Sequence, residues 1–128
     1  MNSTGLASAH ALSCSPSRAR RELRGLLRSV RWPGDVESVV LAVHEAVMNA
    51  AQHGVECVSA VATVDSSRSV LVEVRDRGAG FDVERYTGTP PSASSERGRG
   101  VWLISQIAAQ YELEPVGDGM CFRLRFHP

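Results

Sequence analysis

The feature that most constrains the fold is an amphipathic run between a Pro-Gly turn and a later glycine. It spans residues 35–54, beginning at Asp35 and ending at Gly54. Because an acidic residue after a turn is a favoured helix N-cap and glycine commonly ends a helix, this run predicts one long helix. Its apolar residues recur every three or four positions and so share one buried stripe, formed by Val36, Val39, Val40, Val43, Val47 and Ala50.

The same helix carries a row of polar side chains at Glu45, Asn49 and His53. Side chains four positions apart lie one above the other on a helix. A carboxylate and a carboxamide one turn apart can serve a hydrated divalent cation and a reacting hydroxyl or water. A solvated polar face is the simpler interpretation. However, the row contains no Lys or Arg and is flanked by small or apolar residues, which is more typical of a site wall.

Length and charge restrict the class of protein. The chain has 128 residues, enough for one core but not two. We expect residues 1–14 to form a flexible N-terminus or a short edge strand, and residues 15–128 to form a single domain. Net charge is zero, so nothing in the composition favours direct binding to nucleic acid or to a membrane. The apolar runs are too short to span a bilayer and no signal peptide is evident, so a cytoplasmic location is expected.

The three cysteines are Cys14, Cys57 and Cys121. Their number is odd, they lie far apart in the sequence, and none belongs to a C-x-x-C pair. This pattern argues against a disulfide framework or a zinc site and favours a reducing compartment.

Ser15 and Pro16 predict the start of an earlier helix, with Ser15 as the N-cap. One face of this helix is rich in arginine and could dock an acidic partner, although a solvated face is the more common meaning of such a pattern. The arginines are Arg18, Arg20, Arg21, Arg24 and Arg28.

Four further segments read as strands. Residues 57–64 and 69–76 alternate in polarity around a short polar turn, which predicts an antiparallel hairpin. Residues 111–116 and 120–126 form a second such pair around a Gly-Asp-Gly turn.

The motif that follows the second strand is Asp76-x-Gly78-x-Gly80. It places a carboxylate at the end of a strand, and its two glycines allow the backbone to turn sharply and approach a ligand closely. Taken alone, an ordinary glycine-rich turn explains it equally well. Residues 83–97 are then rich in Pro, Ser, Thr and Gly, which predicts a long mobile loop.

A second glycine motif, Arg97-Gly98-Arg99-Gly100, opens the last predicted helix, over residues 97–110. Glycines at a helix start between two arginines can bind phosphate through backbone N–H groups and the helix dipole. A glycine-containing loop with surface arginines is the alternative.

The order and spacing of these motifs resemble the GHKL superfamily, which includes gyrase, the heat-shock chaperone ATPases and the histidine kinases. Glu-x-x-x-Asn on a helix precedes D-x-G-x-G after a strand, a mobile loop, and G-x-G opening a helix. Within that superfamily, the segment of residues 45–53, a lid that is short for the superfamily and the stand-alone domain look most like the bacterial anti-sigma-factor serine/threonine kinases. The resemblance covers roughly residues 15–126.

The resemblance implies a role for each motif residue. Asn49 would hold the Mg²⁺ that bridges the phosphates of ATP, and Glu45 would orient or deprotonate the attacking hydroxyl. Asp76 would accept a hydrogen bond from the adenine amino group, while Gly78 and Gly80 would shape the base pocket. The glycines of the second motif would bring backbone donors to the phosphates.

The sequence departs from the family pattern near the start of its last strand. Relatives often carry Thr or Ser there, which helps to bind adenine through water, whereas this chain has Met120 and Cys121. Trp102 also replaces a smaller or aliphatic residue and could narrow the phosphate end.

The resemblance implies a two-layer α/β sandwich, with a mixed, mostly antiparallel sheet that carries three helices on one face. The leading functional hypothesis is an ATP-dependent serine/threonine protein kinase. It would sequester a sigma factor and phosphorylate an antagonist protein of the STAS type. The alternative is a module that binds ATP and a partner without transferring phosphate. A detached histidine-kinase domain is less favoured, because no helix with a phosphoacceptor histidine precedes the fold. Whether the chain forms a homodimer stays open.

Overall fold

The structure, a computed structural model, describes residues 8–87 and 96–128, without the side chains of Glu96 and Arg97. The strands are β1 (Ser8–Leu12), β2 (Cys57–Val64), β3 (Val70–Asp76), β4 (Gln110–Val116) and β5 (Gly119–Phe126). The helices are α1 (Pro16–Ser29), α2 (Val36–His53), the short α3 (Glu84–Thr87) and α4 (Glu96–Ile107).

The strands form one sheet in the order β1-β2-β3-β5-β4. The predicted hairpins are confirmed, since β2 pairs with β3 and β4 pairs with β5. All four pairings are antiparallel, so the expectation of a mixed sheet is wrong for the described strands. The reason is topological: two hairpins supply two pairs, β1 enters antiparallel to β2, and the chain returns through α4 to set β5 antiparallel to β3.

Three helices cover one face of the sheet, as expected, with α2 between α1 and α4. The core lies between the layers. It contains Leu23 and Leu27 of α1, the apolar stripe of α2, and the inward side chains of β3 and β5. These inward side chains are Val70, Val72, Val74, Phe122, Leu124 and Phe126. The α/β sandwich predicted from the sequence is therefore confirmed.

The described helices include none that is both long enough and apolar enough to cross a membrane.

The ends of α2 follow from the residues that flank it. The Asp35 carboxylate accepts hydrogen bonds from the Ser38 backbone N–H (3.2 Å) and hydroxyl (2.8 Å), which lowers the pKa of Asp35. At the other end, the Gly54 N–H donates to the Ala50 carbonyl. Both predicted caps are thus confirmed, and the predicted apolar stripe is buried, with Val36 only partly so. In α1, Ser15 occupies the N-cap position but its side chain makes no capping bond.

The sequence argument against disulfide bonding is wrong for one pair, because Cys14 and Cys57 form a disulfide with their Cα atoms 5.8 Å apart. Their distance in the sequence was misleading. Antiparallel pairing of β1 with β2 sets Leu12 opposite Ala60, so the chain leaving β1 passes the start of β2. Cys121 is a free, buried thiol on β5, and burial raises its pKa.

Candidate functional site

The polar row of α2 faces a cavity of about 200 Å³ beside the first turns of α4. Glu45, Asn49 and His53 all line it, so the structure brings the predicted row together at one site. The other lining residues are Met48, Gln52, Arg99 and Gly100. One wall therefore comes from the C-terminal half of α2 and the other from the second glycine motif.

A glycine at position 100 allows α4 to approach α2 closely. A Cβ atom built on Gly100 would lie 2.8 Å from Glu45 Oε1, a distance that real Cβ atoms essentially never show. Gly98, half a turn earlier, is also buried. Since α4 begins at Glu96, Gly98 lies in the first turn of this helix. Gly100 is the fifth residue of α4, so its N–H is expected to donate to the carbonyl four residues earlier in the helix. The contribution of Gly100 to the site is therefore its lack of a side chain, which leaves room for Glu45.

The carboxamide of Asn49 is the least satisfied group at the site. Its Oδ1 is buried and accepts no hydrogen bond from the described residues. A buried carbonyl oxygen without a partner is rare, because it has lost its bonds to water and gained none. A cation or donor that binds in the cavity would satisfy it.

The first glycine motif lies at the C-terminal end of α2. The Asp76 Oδ1 accepts a hydrogen bond of 2.7 Å from the Gly78 N–H. A Cβ on Gly54 would lie 2.5 Å from Asp76 Cγ, and a Cβ on Gly78 would lie 2.9 Å from Gly54 Cα. Glycine at both positions thus lets the end of α2 and the turn after β3 pack against each other around the carboxylate.

Gly80 supplies the sharp turn that the motif predicts, with a φ of +83° that side chains rarely adopt. The thioether of Met120 lies against it, and its Cε would be 2.8 Å from a Cβ on Gly80. Met120 is also the cross-strand partner of Asp76. An apolar side chain therefore borders the carboxylate on the side where related proteins often carry a hydroxyl.

The two glycine motifs sit at opposite ends of one helical segment. Glu45 and Gly54 are nine residues apart on α2, which corresponds to roughly 13 Å along the helix axis. That span is of the order of an extended nucleoside triphosphate. One molecule of this kind could contact Asp76 with its base and α4 with its phosphates.

The loop predicted over residues 83–97 is only partly described. It begins as the short helix α3, and its last two residues already belong to α4; residues 88–95 and the Arg97 side chain lie outside the described part. Phe81 anchors the start of the loop by edge-to-face contacts with Tyr86 and Phe122, both with ring centroids 6.0 Å apart. Arg99 is exposed at the cavity.

Two glycines that pack against Asp76 were not predicted from the sequence to do so. Gly54 was interpreted only as a helix stop, and Gly119 only as part of a turn. A Cβ on Gly119 would lie 1.9 Å from the Asp76 backbone oxygen. Gly54 has a φ of −91°, open to any residue, so space and not backbone conformation requires glycine there. Only the tertiary structure shows this requirement.

A larger cavity of about 400 Å³ lies on the sheet face away from the helices. Its arginines are already neutralised: Arg123 forms ion pairs with Glu73 at 2.8 Å and with Glu114, and Arg125 lies 3.4 Å from Asp65. It holds none of the motif residues, and we therefore take the smaller cavity beside α2 as the candidate functional site.

The site suits a cation that is coordinated mainly by phosphate and water and by few protein side chains. The described residues contain no group of three or more His, Cys, Asp or Glu side chains gathered for a metal. Mg²⁺ commonly takes one or two protein oxygens and completes its shell with phosphate and water. The unpaired Asn49 oxygen fits that limited role.

Comparison with known proteins identifies the family. No curated protein matched the chain in a sequence comparison. A family model described as a histidine kinase-like ATPase domain matches residues 11–126, which include both glycine motifs, the polar row of α2 and nearly all of the described sheet. The chain therefore belongs to the histidine kinase-like ATPase family and is an ATP-binding module of the GHKL type.

Proposed function

We propose that this protein is an ATP-dependent serine/threonine kinase that also sequesters a protein partner, a sigma factor. Its phosphoacceptor would be a STAS-type antagonist of that complex. The observation that carries the proposal is the buried, unpaired Asn49 oxygen one turn from the Glu45 carboxylate, in a cavity that α4 closes. The site thus offers one group for a phosphate-bound cation and one for a reacting hydroxyl.

The geometry supports one orientation of ATP. The Asp76 carboxylate can accept a hydrogen bond from the adenine amino group, at the turn that packs against the end of α2 through Gly54 and Gly78. The phosphates then extend toward α4, whose N-terminal turn and exposed Arg99 favour negative charge.

Glu45 and Asn49 divide the chemistry. Glu45 would orient the serine or threonine hydroxyl and accept its proton as the oxygen bonds to the terminal phosphorus. Asn49 would hold Mg²⁺, which neutralises phosphate charge when it is bound. Positioning and charge stabilisation carry most of phosphoryl transfer, so these two side chains and the backbone of α4 are a sufficient set.

The surface of α1 supports the sequestration half of the proposal. Arg18, Arg20 and Arg21 are exposed and form no ion pair with the described residues, whereas Arg24 is held by Glu37 at 2.8 Å. A groove of about 380 Å³ between α1 and α2 adjoins them. It contains Leu41, which is 41% exposed, and the His44 Nδ1, which is buried and unpaired within the described chain. This combination fits an acidic partner with an apolar contact.

The test begins with capture of partners from the native host and their identification by mass spectrometry. Transfer from labelled ATP to each purified partner is then measured. Glu45→Ala should lose on the order of 10²–10⁴-fold in transfer rate while keeping ATP affinity, because general-base help has that magnitude. Asn49→Ala should lose both transfer and Mg²⁺-dependent binding. Glu112→Ala, an exposed carboxylate on the opposite sheet face, is the control and should behave as wild type.

One outcome separates the kinase from the binding module. If the wild type binds both ATP and its partner but transfers no phosphate to it, the kinase proposal fails and the silent module is correct.

A further inference from the structure

The disulfide between Cys14 and Cys57 lies next to Asp76, whose carboxylate is proposed to bind adenine. In the β2–β3 ladder, Cys57 is the cross-strand partner of Asp76, and the ladder is irregular between Cys57 and Ser59. Both cysteines are partly exposed. The bond is therefore within reach of a solution thiol and one strand away from the nucleotide site.

The segment formed by residues 54–57 wraps around the turn that carries the first glycine motif. The Arg77 N–H donates to two carbonyls of this segment, those of Gly54 and Glu56, both at 3.1 Å. Gly54 itself lies against the Asp76 carboxylate. The position of residues 54–57 thus decides how much space surrounds the carboxylate.

This segment is held in a conformation that it would not adopt by itself. Val55 has a φ of +68° and is 80% exposed. A β-branched side chain is strongly disfavoured in the left-handed region, and burial does not compensate here. Such a conformation persists only when its surroundings enforce it. Those visible here are the disulfide, the two Arg77 hydrogen bonds, the Glu56 N–H bond to the Gly54 carbonyl at 2.7 Å and the Arg77–Glu56 ion pair at 3.4 Å. The disulfide ties Cys57 to the chain just before α1.

We propose that Cys14 and Cys57 are a reversible redox site whose disulfide form holds residues 54–57 in place and strengthens ATP binding. This inference rests on the proposed position of adenine beside Asp76. The sequence analysis predicts a cytoplasmic location. There the protein would be exposed to a reducing pool of low-molecular-weight thiols such as glutathione. Disulfides in that compartment are usually transient and redox-sensing. The pair links segments 43 residues apart in the chain, so its reduction removes a long-range constraint.

The chemistry is ordinary thiol–disulfide exchange with a low-molecular-weight disulfide such as glutathione disulfide. One cysteine thiolate attacks a sulfur of that disulfide, forms a mixed disulfide and expels a thiolate. The second cysteine thiolate then attacks the protein sulfur of the mixed disulfide and expels the other. Two electrons pass from the cysteine pair to the small disulfide, and the two cysteine protons go to solvent or to the expelled thiolates. Reduction runs through the same steps in reverse.

The experiment equilibrates the full chain in glutathione buffers of different redox ratio. Thiols are counted by alkylation and mass spectrometry, and Mg·ATP affinity is measured by calorimetry at each ratio. The ATP dissociation constant should rise on reduction by about fivefold or more, the low end of ordinary coupling between sites. Hydrogen exchange in residues 54–57 and 76–80 should accelerate at the same ratio.

Three variants keep the inference testable. Cys14→Ser and Cys57→Ser should both resemble the reduced wild type and should not respond to the buffer. Cys121→Ala removes the buried third thiol and should retain the full response, which excludes that thiol as the source.

The possible failures are distinguishable. Three alkylatable thiols in the most oxidising buffer would overturn the redox site. A disulfide that forms without changing either ATP affinity or hydrogen exchange would overturn the coupling. Absence of ATP binding in both redox states would refute the proposed nucleotide site and the coupling with it, while the alkylation result would still show whether the cysteine pair exists.

Discussion

Replacing Gly54 with alanine tests whether the C-terminal end of α2 fixes the position of Asp76 at the proposed adenine site. The added Cβ would lie 2.5 Å from Asp76 Cγ, 2.6 Å from Asp76 Oδ2 and 2.7 Å from the Ala50 carbonyl oxygen. One of these obstacles is backbone, so rotation of a flexible side chain cannot relieve the overlap. The carboxylate or the end of α2 must move.

The magnitude follows from two opposing effects. The backbone angles of Gly54 are open to alanine, so conformation alone would make Gly54→Ala stabilising by about 0.4–1 kcal/mol. Overpacking in a closely packed region costs about 1–3 kcal/mol. The steric term is the larger, so the free energy of unfolding should fall.

A matched control exists on α1. Gly25 lies inside a helix, and a Cβ there would meet nothing within 4 Å. Gly25→Ala should therefore raise the free energy of unfolding by about 0.5–1 kcal/mol. Urea denaturation measures both variants with the disulfide intact, and calorimetry measures their ATP affinity. Only Gly54→Ala should weaken ATP binding, because only it displaces Asp76.

The free energy of unfolding should change in opposite directions in the two variants. If Gly54→Ala were as stabilising as Gly25→Ala, with unchanged ATP affinity, the close approach of α2 to Asp76 would not exist in solution.

Further predictions concern the adenine contact, the segment over residues 81–97 and the pH dependence of stability. Asp76→Asn should weaken ATP binding by about 1.5–3 kcal/mol, the range for a hydrogen bond to a charged group; equal calorimetric affinity for the variant and wild type would exclude the adenine contact. Saturating ATP should slow hydrogen exchange across residues 81–97, since a lid orders over its ligand, and unchanged exchange would leave this segment a linker. The pKa values of Asp35, Glu37 and Asp65 are lowered, mainly by hydrogen bonds from Ser38, Arg24 and Ser67. The stability they confer is thus complete above the unfolded pKa values, about pH 4, and is lost as pH falls through the lower folded values. The melting temperature should therefore drop in acid, and less steeply in Asp35→Asn; parallel profiles would contradict this account.

Local sequence patterns predicted most of the secondary-structure elements and the order of the motifs. The spacing of valines fixed the buried stripe of α2 and so the direction of Glu45 and Asn49, because both sets share one helical period. Strand alternation likewise predicted the two hairpins, one around a polar turn and one around a Gly-Asp-Gly turn. These features are local, and local periodicity and turn chemistry carry them. The loop over residues 83–97 was harder to place, since its composition gave no sign of α3.

How the distant segments meet could not be predicted from the sequence, because it depends on tertiary packing. The register of β1 on β2 brings Cys14 to Cys57, and no spacing rule relates cysteines 43 residues apart. The need for glycine at position 54 arises from Asp76, which arrives from another strand. The burial of the Asn49 oxygen without a hydrogen-bond donor likewise arises from packing between elements, because α2 and α4 together line the cavity. Sequence patterns report the periodicity of one element, whereas contacts between elements depend on packing that involves the whole chain.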